Sequence, residues 1–297
     1  MGKTRRLGAA LLVALLFCGA SVKAHPQAGF PAGSGALGGP PGIGAPGNAP
    51  PGGSPFPFLE PLPPDAPKPS SDPRDLEGTW FHATMMELVV TKTMHGKPVP
   101  LNDKGNALMA ERLAAQKGGK PFQNAAFLCI PPGPFWQIDI NFPFTVLQTP
   151  EEINFVFREF HGVWKIRMDQ QHLPPERREY MGDSVGHWEG DTLVVDTTNF
   201  KDIFWVDSDV TGAPISRDAR LTNRIRKINE EDGPALNIVT TINDPIYSAT
   251  AWSVSRNFIW RPDKAVFDEY NCEAEAGSPD GIAFYGYADQ TGTKNAP

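Results

Sequence analysis

The chain has 297 residues, with 27 Lys and Arg against 34 Asp and Glu, a net charge of −7. Taking the four basic residues of the N-terminal segment (Lys3, Arg5, Arg6 and Lys23) from 27 leaves 23 against 34, a net of −11 for the rest. With no basic run beyond that segment, the composition argues against nucleic acid or an anionic membrane as a partner.

Residues 1–24 have the three parts of a secretory signal. A positive start is followed by an apolar run from Leu7 to Phe17, and Val22 and Ala24 occupy the small-residue positions of a cleavage site before His25. The apolar run is short of the roughly 20 residues of a membrane span, and no later segment reaches that length. The expectation is a mature chain without a transmembrane span, periplasmic or secreted. Phe17 before Cys18 is a poor match to a lipoprotein site, and the Arg5-Arg6 pair fits twin-arginine or ordinary export equally well. Residues 25–72 are dominated by Gly, Pro, Ala and Ser. Such a leader cannot bury enough apolar surface to offset its backbone entropy and is expected to be disordered.

Residues 73–275 read as one β-rich domain, with 276–297 as a flexible tail. "GTWFHATMMELVV" at 78–90 opens it. One short helix is expected near 102–116, where "NDKGNALMAERLAAQ" has a capping Asn or Asp, helix formers, and Gly118-Gly119 as a stop. Apolar or alternating runs follow at 135–149, 152–158, 162–168, 183–188, 192–199, 219–228, 236–243, 249–261 and 265–273, separated by turn signals such as Glu189-Gly190-Asp191 and Asp232-Gly233-Pro234. Short connections imply antiparallel hairpins, and so many strands must close or stack to hide their edges. The fold class is all-β, an antiparallel up-and-down, lipocalin-like barrel, with a two-sheet β-sandwich as the alternative. Beyond the signal only Cys129 and Cys272 remain, a possible disulfide in an oxidising compartment or two separate buried thiols. Neither has the neighbours of a catalytic thiol or a zinc site.

The strand patterns also select candidate site residues. On 249–261 the more apolar face is Thr250, Trp252, Val254, Arg256, Phe258 and Trp260, so Arg256 stands in an inward row and needs a partner. Asp196 and Glu269 are the candidates. The pair is either a structural plug or a polar anchor in a ligand cavity. The segment 161–200 concentrates the chemically capable side chains, including His161, His172, His187, Asp169, Asp183, Glu189, Asp191 and Asp196. Val185–Trp188 is expected to pair with Thr192–Val195, leaving Asp169–Tyr180 as a loop at one mouth of the barrel.

This same segment resembles a known family. Trp164, Met168-Asp169, Pro174-Pro175, Tyr180-Met181-Gly182, Ser184, Gly186, "WEGDTLVVDT" at 188–197 and Phe200 are similar to a large group of uncharacterised exported bacterial proteins. The likeness extends from about Asp75 to Glu273 through "DLEGTW", "LTNR" at 221–224, "TINDPIYSATAWSVSR" at 241–256 and "EYNCE". It implies fold and export and no reaction. Similar sequences more often have His where this chain has Asp183 and Arg where it has His187. Gly78-Thr79-Trp80 resembles the Gly-x-Trp of lipocalin first strands.

Two function classes follow. In the first, the barrel binds a small apolar or aromatic ligand, with Trp164, Arg167, Tyr180, Asp183, Trp188, Asp196, Trp252, Arg256 and Glu269 as ligand-binding candidates. In the second, the same cavity performs cofactor-free acid–base chemistry of isomerase, lyase or cyclase type, with Asp169, His172 and His187 as catalytic candidates. No cofactor is expected, since no GxGxxG or GxxxxGK[ST] motif occurs, and the histidine spacings match no standard metal site. Gly182-Asp183-Ser184-Val185-Gly186 fits the GxSxG pattern, but the hairpin that follows is not the strand-to-helix turn of a nucleophile elbow. A third class, an envelope interaction protein acting through its leader, would depend on residues 25–72.

Overall fold

The computed structural model describes residues 61–83, 92–117, 130–139, 142–158, 162–201, 213–230 and 233–265. The signal, most of the leader, Cys129, Cys272, His161, Glu269 and the tail lie outside these residues.

Nine strands form a closed barrel in which each is hydrogen-bonded to the next in sequence and the last to the first. They are β1 (Gly78–His82), β2 (Phe144–Gln148), β3 (Glu152–Phe157), β4 (Val163–Met168), β5 (Asp183–Glu189), β6 (Thr192–Thr198), β7 (Arg220–Glu230), β8 (Gly233–Asn243) and β9 (Trp252–Trp260). The all-β barrel is therefore as the alternation predicts, and the sandwich alternative falls away. One feature of the expectation needs correction. The barrel is mixed, because β4 and β5 pair in parallel, Ile166 beside Ser184 and Met168 beside Gly186, while the other eight junctions are antiparallel. Parity forces this. An antiparallel junction reverses direction, and a ring of nine cannot close on reversals alone.

A parallel junction also cannot be joined by a hairpin. The chain must travel from the end of β4 back to the start of β5, and Asp169–Gly182 does so. This segment is not a mouth loop. It lies along the outer face, with the Leu173 N–H on Asp183, the Asn199 amide on the Leu173 carbonyl, and Glu179 bridged to Phe200. Asp169 (φ 53) and Gly182 (φ 71) make the bends at its ends. At Gly182 a Cβ would lie 2.5 Å from the Phe200 ring and 2.7 Å from the Thr198 carbonyl oxygen, so only glycine fits.

Helix α1 (Asp103–Lys117) matches the predicted helix. Asn102 caps it, its Oδ1 accepting the Gly105 N–H at 3.0 Å while its amide donates to the Ile246 carbonyl. A second helix, α2 (Pro134–Asp139), replaces the first part of the strand expected over 135–149. Pro134 suits a first helical turn, where its missing N–H is not needed, and a short apolar run carries no periodicity that separates strand from buried helix. All six residues of α2 are buried.

The larger apolar cluster joins Trp80, Phe144, Phe155, Phe157, Trp164 and Phe258 inside the barrel. The smaller one gathers Phe135, Phe200, Leu221, Ile242, Trp252 and Val254, with Met109 of α1 against it. Helix α2 reaches both, Ile138 in the first and Phe135 in the second. Residues just before the barrel are held to it as well. Trp260 Nε1–H donates to the Pro67 carbonyl at 2.6 Å and Lys227 to that of Ser70 at 2.7 Å.

Candidate functional site

Alternation decides which side chains enter the barrel. On β2, β3 and β4 the inward residues are apolar, such as Val146, Phe155 and Ile166. From β5 round to β1 each strand instead places a polar residue in the inward row, β7 adding Lys227 towards its end, where its Nζ reaches the Ser70 carbonyl. Apart from Lys227 these are Ser184, Thr197, Asn223, Thr240, Arg256 and His82, all buried except the half-buried Arg256.

The register makes them a continuous stripe. Ser184 lies directly opposite Thr197, and Asn223 opposite Thr240. The remaining steps are diagonal: Thr197 to Asn223, which faces Val195; Thr240 to Arg256, since Val254 faces Thr240; Arg256 to His82, which faces Phe258. Hydrogen bonds tie parts of the stripe. Trp164 Nε1–H donates to Ser184 Oγ at 2.7 Å, Ser184 and Thr197 hydroxyls meet at 2.8 Å, and Thr240 Oγ1 donates to Asn223 Oδ1 at 2.6 Å. Ser184 is thus a wall residue, not a nucleophile at an elbow.

Helix α2 completes the site. Its Asp139 takes Arg256 in a two-pronged pair, Nε to Oδ1 and Nη2 to Oδ2 (3.3 Å), while Arg256 Nη1 donates to the Ser255 carbonyl. Of the two expected partners, Asp196 faces outward on Arg220 and Glu269 lies outside the described residues; Asp139 is a partner that a strand reading of 135–149 does not offer. His82 lies 2.9 Å by Nε2 from the Ile138 carbonyl. A carbonyl only accepts, so Nε2 carries the proton and Nδ1 the lone pair. Burial drives the His82 pKa down to about 4, the Ile138 bond opposes this, and Arg256 adds to the lowering. At neutral pH His82 is uncharged.

One buried donor of the stripe has no hydrogen-bond partner among the described residues: Asn223 Nδ2. Asn223 is 0% exposed and belongs to the stripe itself. Leaving such a donor unmade costs about 1–3 kcal/mol.

A second polar cluster occupies the outside. His172, from the crossover, sits between Asp183 (Nδ1 to Oδ2, 2.8 Å) and Asp196 (Nε2 to Oδ1, 3.5 Å). Arg167 donates to Asp183 at 2.7 Å, and Arg220 holds the other oxygen of Asp196. Burial pushes the Asp183 carboxyl up, but the Leu173 N–H, His172 and Arg167 outweigh it and hold its pKa below the ordinary value. Ion pairing with Asp196 raises the Arg220 pKa above its ordinary value.

The sequence-predicted site residues divide accordingly. Trp164 and Arg256 are interior, and Trp252 belongs to the smaller apolar cluster against Phe135. Trp188 packs partly on the larger cluster under Arg74. Arg167, His172, Asp183 and Asp196 come together on the outside. Tyr180 lies beneath Lys201, 4.4 Å from its ring centroid. Asp169 is an exposed bend, and His187 is exposed beside Glu189 at 3.3 Å, so the three catalytic candidates have separate neighbours. Sequence reading missed His82, Asp139, Ser184, Thr197, Asn223 and Thr240 as site residues. For Asn223 and Thr240 the signal was present, a polar residue in the apolar phase of Leu221-Asn223-Ile225 and Ile238-Thr240-Ile242. Among the described residues no His, Cys, Asp and Glu grouping could hold a metal ion, and no helix is long and apolar enough to cross a membrane. Comparison with protein-family models, curated proteins and solved structures finds no match for the chain.

Proposed function

We propose that this chain is an exported barrel protein, periplasmic or secreted, that binds a small apolar or aromatic molecule inside the barrel. In this reading it belongs with the exported bacterial proteins that its 161–200 segment resembles. The single observation that carries ligand binding is Asn223, fully buried in the inner row with an unspent N–H donor, in a barrel whose larger apolar cluster is rich in aromatic rings. Such a wall supplies affinity through apolar burial, and a few fixed polar groups supply orientation. Export rests on the charged, apolar and small-residue sequence of residues 1–24.

Cofactor-free acid–base catalysis is the second reading, and His82 favours it. It is an uncharged imidazole whose tautomer is fixed by the Ile138 carbonyl, with its lone pair on Nδ1. Chemical change in the bound molecule, lost in His82→Gln, separates catalysis from binding.

The test is purification from the periplasm of the expressing cell, followed by mass spectrometry of small molecules released on denaturation. A stoichiometric apolar compound, depleted in Asn223→Leu, is expected. A protein that stays in the cytoplasm defeats the export reading. One that releases nothing and whose Tm no apolar or aromatic compound raises defeats the binding reading.

A further inference from the structure

The polar stripe also specifies the chemistry of what it would hold, and this inference rests on the barrel interior being the binding site. Among the described residues its ionisable groups, Arg256, Asp139 and His82, sum to no charge, and Lys227 at the far end of the inward row of β7 turns its Nζ to the Ser70 carbonyl. Arg256 is matched by Asp139 through two contacts, and His82 is neutral. The remaining members are hydroxyls and an amide. Asp183, Asp196, Arg167 and Arg220, which would alter that balance, are on the outer face, and Arg112 of α1 acts on Tyr247. Among the described residues of the stripe, a ligand carboxylate would therefore enter beside Asp139 with no further cation to meet it, and a ligand ammonium beside Arg256 with no further anion. Either leaves a buried charge uncompensated.

The unmade hydrogen bond of the stripe has a sign as well. Asn223 Nδ2 is a donor, and Asn223 Oδ1 already accepts from Thr240. What Asn223 lacks is an acceptor oxygen. A hydroxyl group offers an acceptor but brings a proton that needs a place of its own, whereas a carbonyl oxygen brings none.

We infer that the barrel interior selects an uncharged ligand bearing a carbonyl-type acceptor oxygen, such as a ketone, ester, lactone or quinone, over the corresponding carboxylate, amine or hydrocarbon.

The test compares four probes of one shape on the full mature protein, by calorimetry or tryptophan quenching: acetophenone, 1-phenylethanol, benzoate and ethylbenzene. Acetophenone is expected to bind about 10-fold or more tightly than benzoate and ethylbenzene, with 1-phenylethanol between them. In Asn223→Leu, shown to be folded by circular dichroism, the ratio of acetophenone to ethylbenzene affinity should collapse towards one. Benzoate binding as tightly as acetophenone, or a ketone preference undiminished in Asn223→Leu, overturns the inference while leaving the barrel as a binding site. Failure of all four probes, with nothing released from the native protein, overturns the binding reading and this inference with it.

Discussion

The barrel carries guanidinium–carboxylate chemistry on both sides of its wall, and the two uses differ. Inside, Arg256 and Asp139 have side chains 16% and 6% exposed and link α2 to β9. Outside, Arg220 is 62% exposed on Asp196, while Arg167 and Asp183, 18% and 4% exposed, pair beneath the crossover that His172 and Leu173 fasten down. The inner pair has little solvent to fall back on. The outer cluster has several overlapping contacts, so that Asp183 keeps the Leu173 N–H and His172 if Arg167 is lost, and water reaches Arg220. The inner pair thus sets the interior's charge balance, whereas the outer cluster fixes a length of chain. A motif rich in charge is not thereby the place of chemistry.

Substitutions can break that contrast. Asp139→Asn or Arg256→Met should cost about 3–5 kcal/mol in urea unfolding, because each strands a buried charge. The double variant Asp139→Leu with Arg256→Met should recover most of that loss, since no charge is then left alone. Equal losses in the single and double variants would show that packing, not charge, holds α2.

His82 extends the comparison to pH. Its folded pKa of about 4 lies below the ordinary 6.5, so between these values the unfolded chain binds a proton that the folded chain refuses. Stability should fall by about 3 kcal/mol as pH drops from 6.5 to 4, and His82 should add no further loss below 4. Asp183 acts in a separate, lower window. Its depressed pKa gives stability present at neutral pH and lost only as pH falls through the carboxylate range. Unfolding curves of wild type and His82→Gln at pH 7 and 4.5 isolate the first effect, and parallel pH dependences in the two proteins would remove it.

Smaller effects belong to the crossover. Gly182→Ala should cost about 1–3 kcal/mol through its positive φ and its clash with Phe200 and Thr198. Asp183→Asn should speed hydrogen exchange at the Leu173 amide more than at the β8 amides. Uniform acceleration across the barrel would make Asp183 part of the core instead. His187→Ala, on an exposed side chain, should change stability by less than about 0.5 kcal/mol.

The barrel was legible because alternation is local. Nine strands announce themselves by period and turn residues, and helix α1 by its capping Asn102 and its helix formers. The parallel junction was not legible, since it follows from an odd strand count, and one strand miscounted reverses the parity. The expected strand at 135–149, whose first part is α2, shows how easily that happens. Arg256 was placed correctly by pattern, yet its partner was not, because Asp139 lies in an apolar run that reads equally as strand or helix. The 161–200 segment offers the catalytic candidates through density of charge, and part of that density, at His172 and Asp183, holds the chain against the outer wall. Polar residues such as Asn223 and Thr240 are inconspicuous one at a time and acquire meaning only when register lines up six strands.

The odd count also bears on how this chain can change. A hairpin turn such as Glu189-Gly190-Asp191 can lose or gain a residue locally, but Asp169–Gly182 must return along the wall. At roughly 3.3 Å per residue the return from the level of Gly186 to that of Asp183 needs only a few residues, and the remainder is held against the wall through His172, Leu173 and Glu179. Deletions here break those contacts. By composition it passes for a spare loop; by topology it is a strut, and its length should vary less than that of any hairpin turn in the fold.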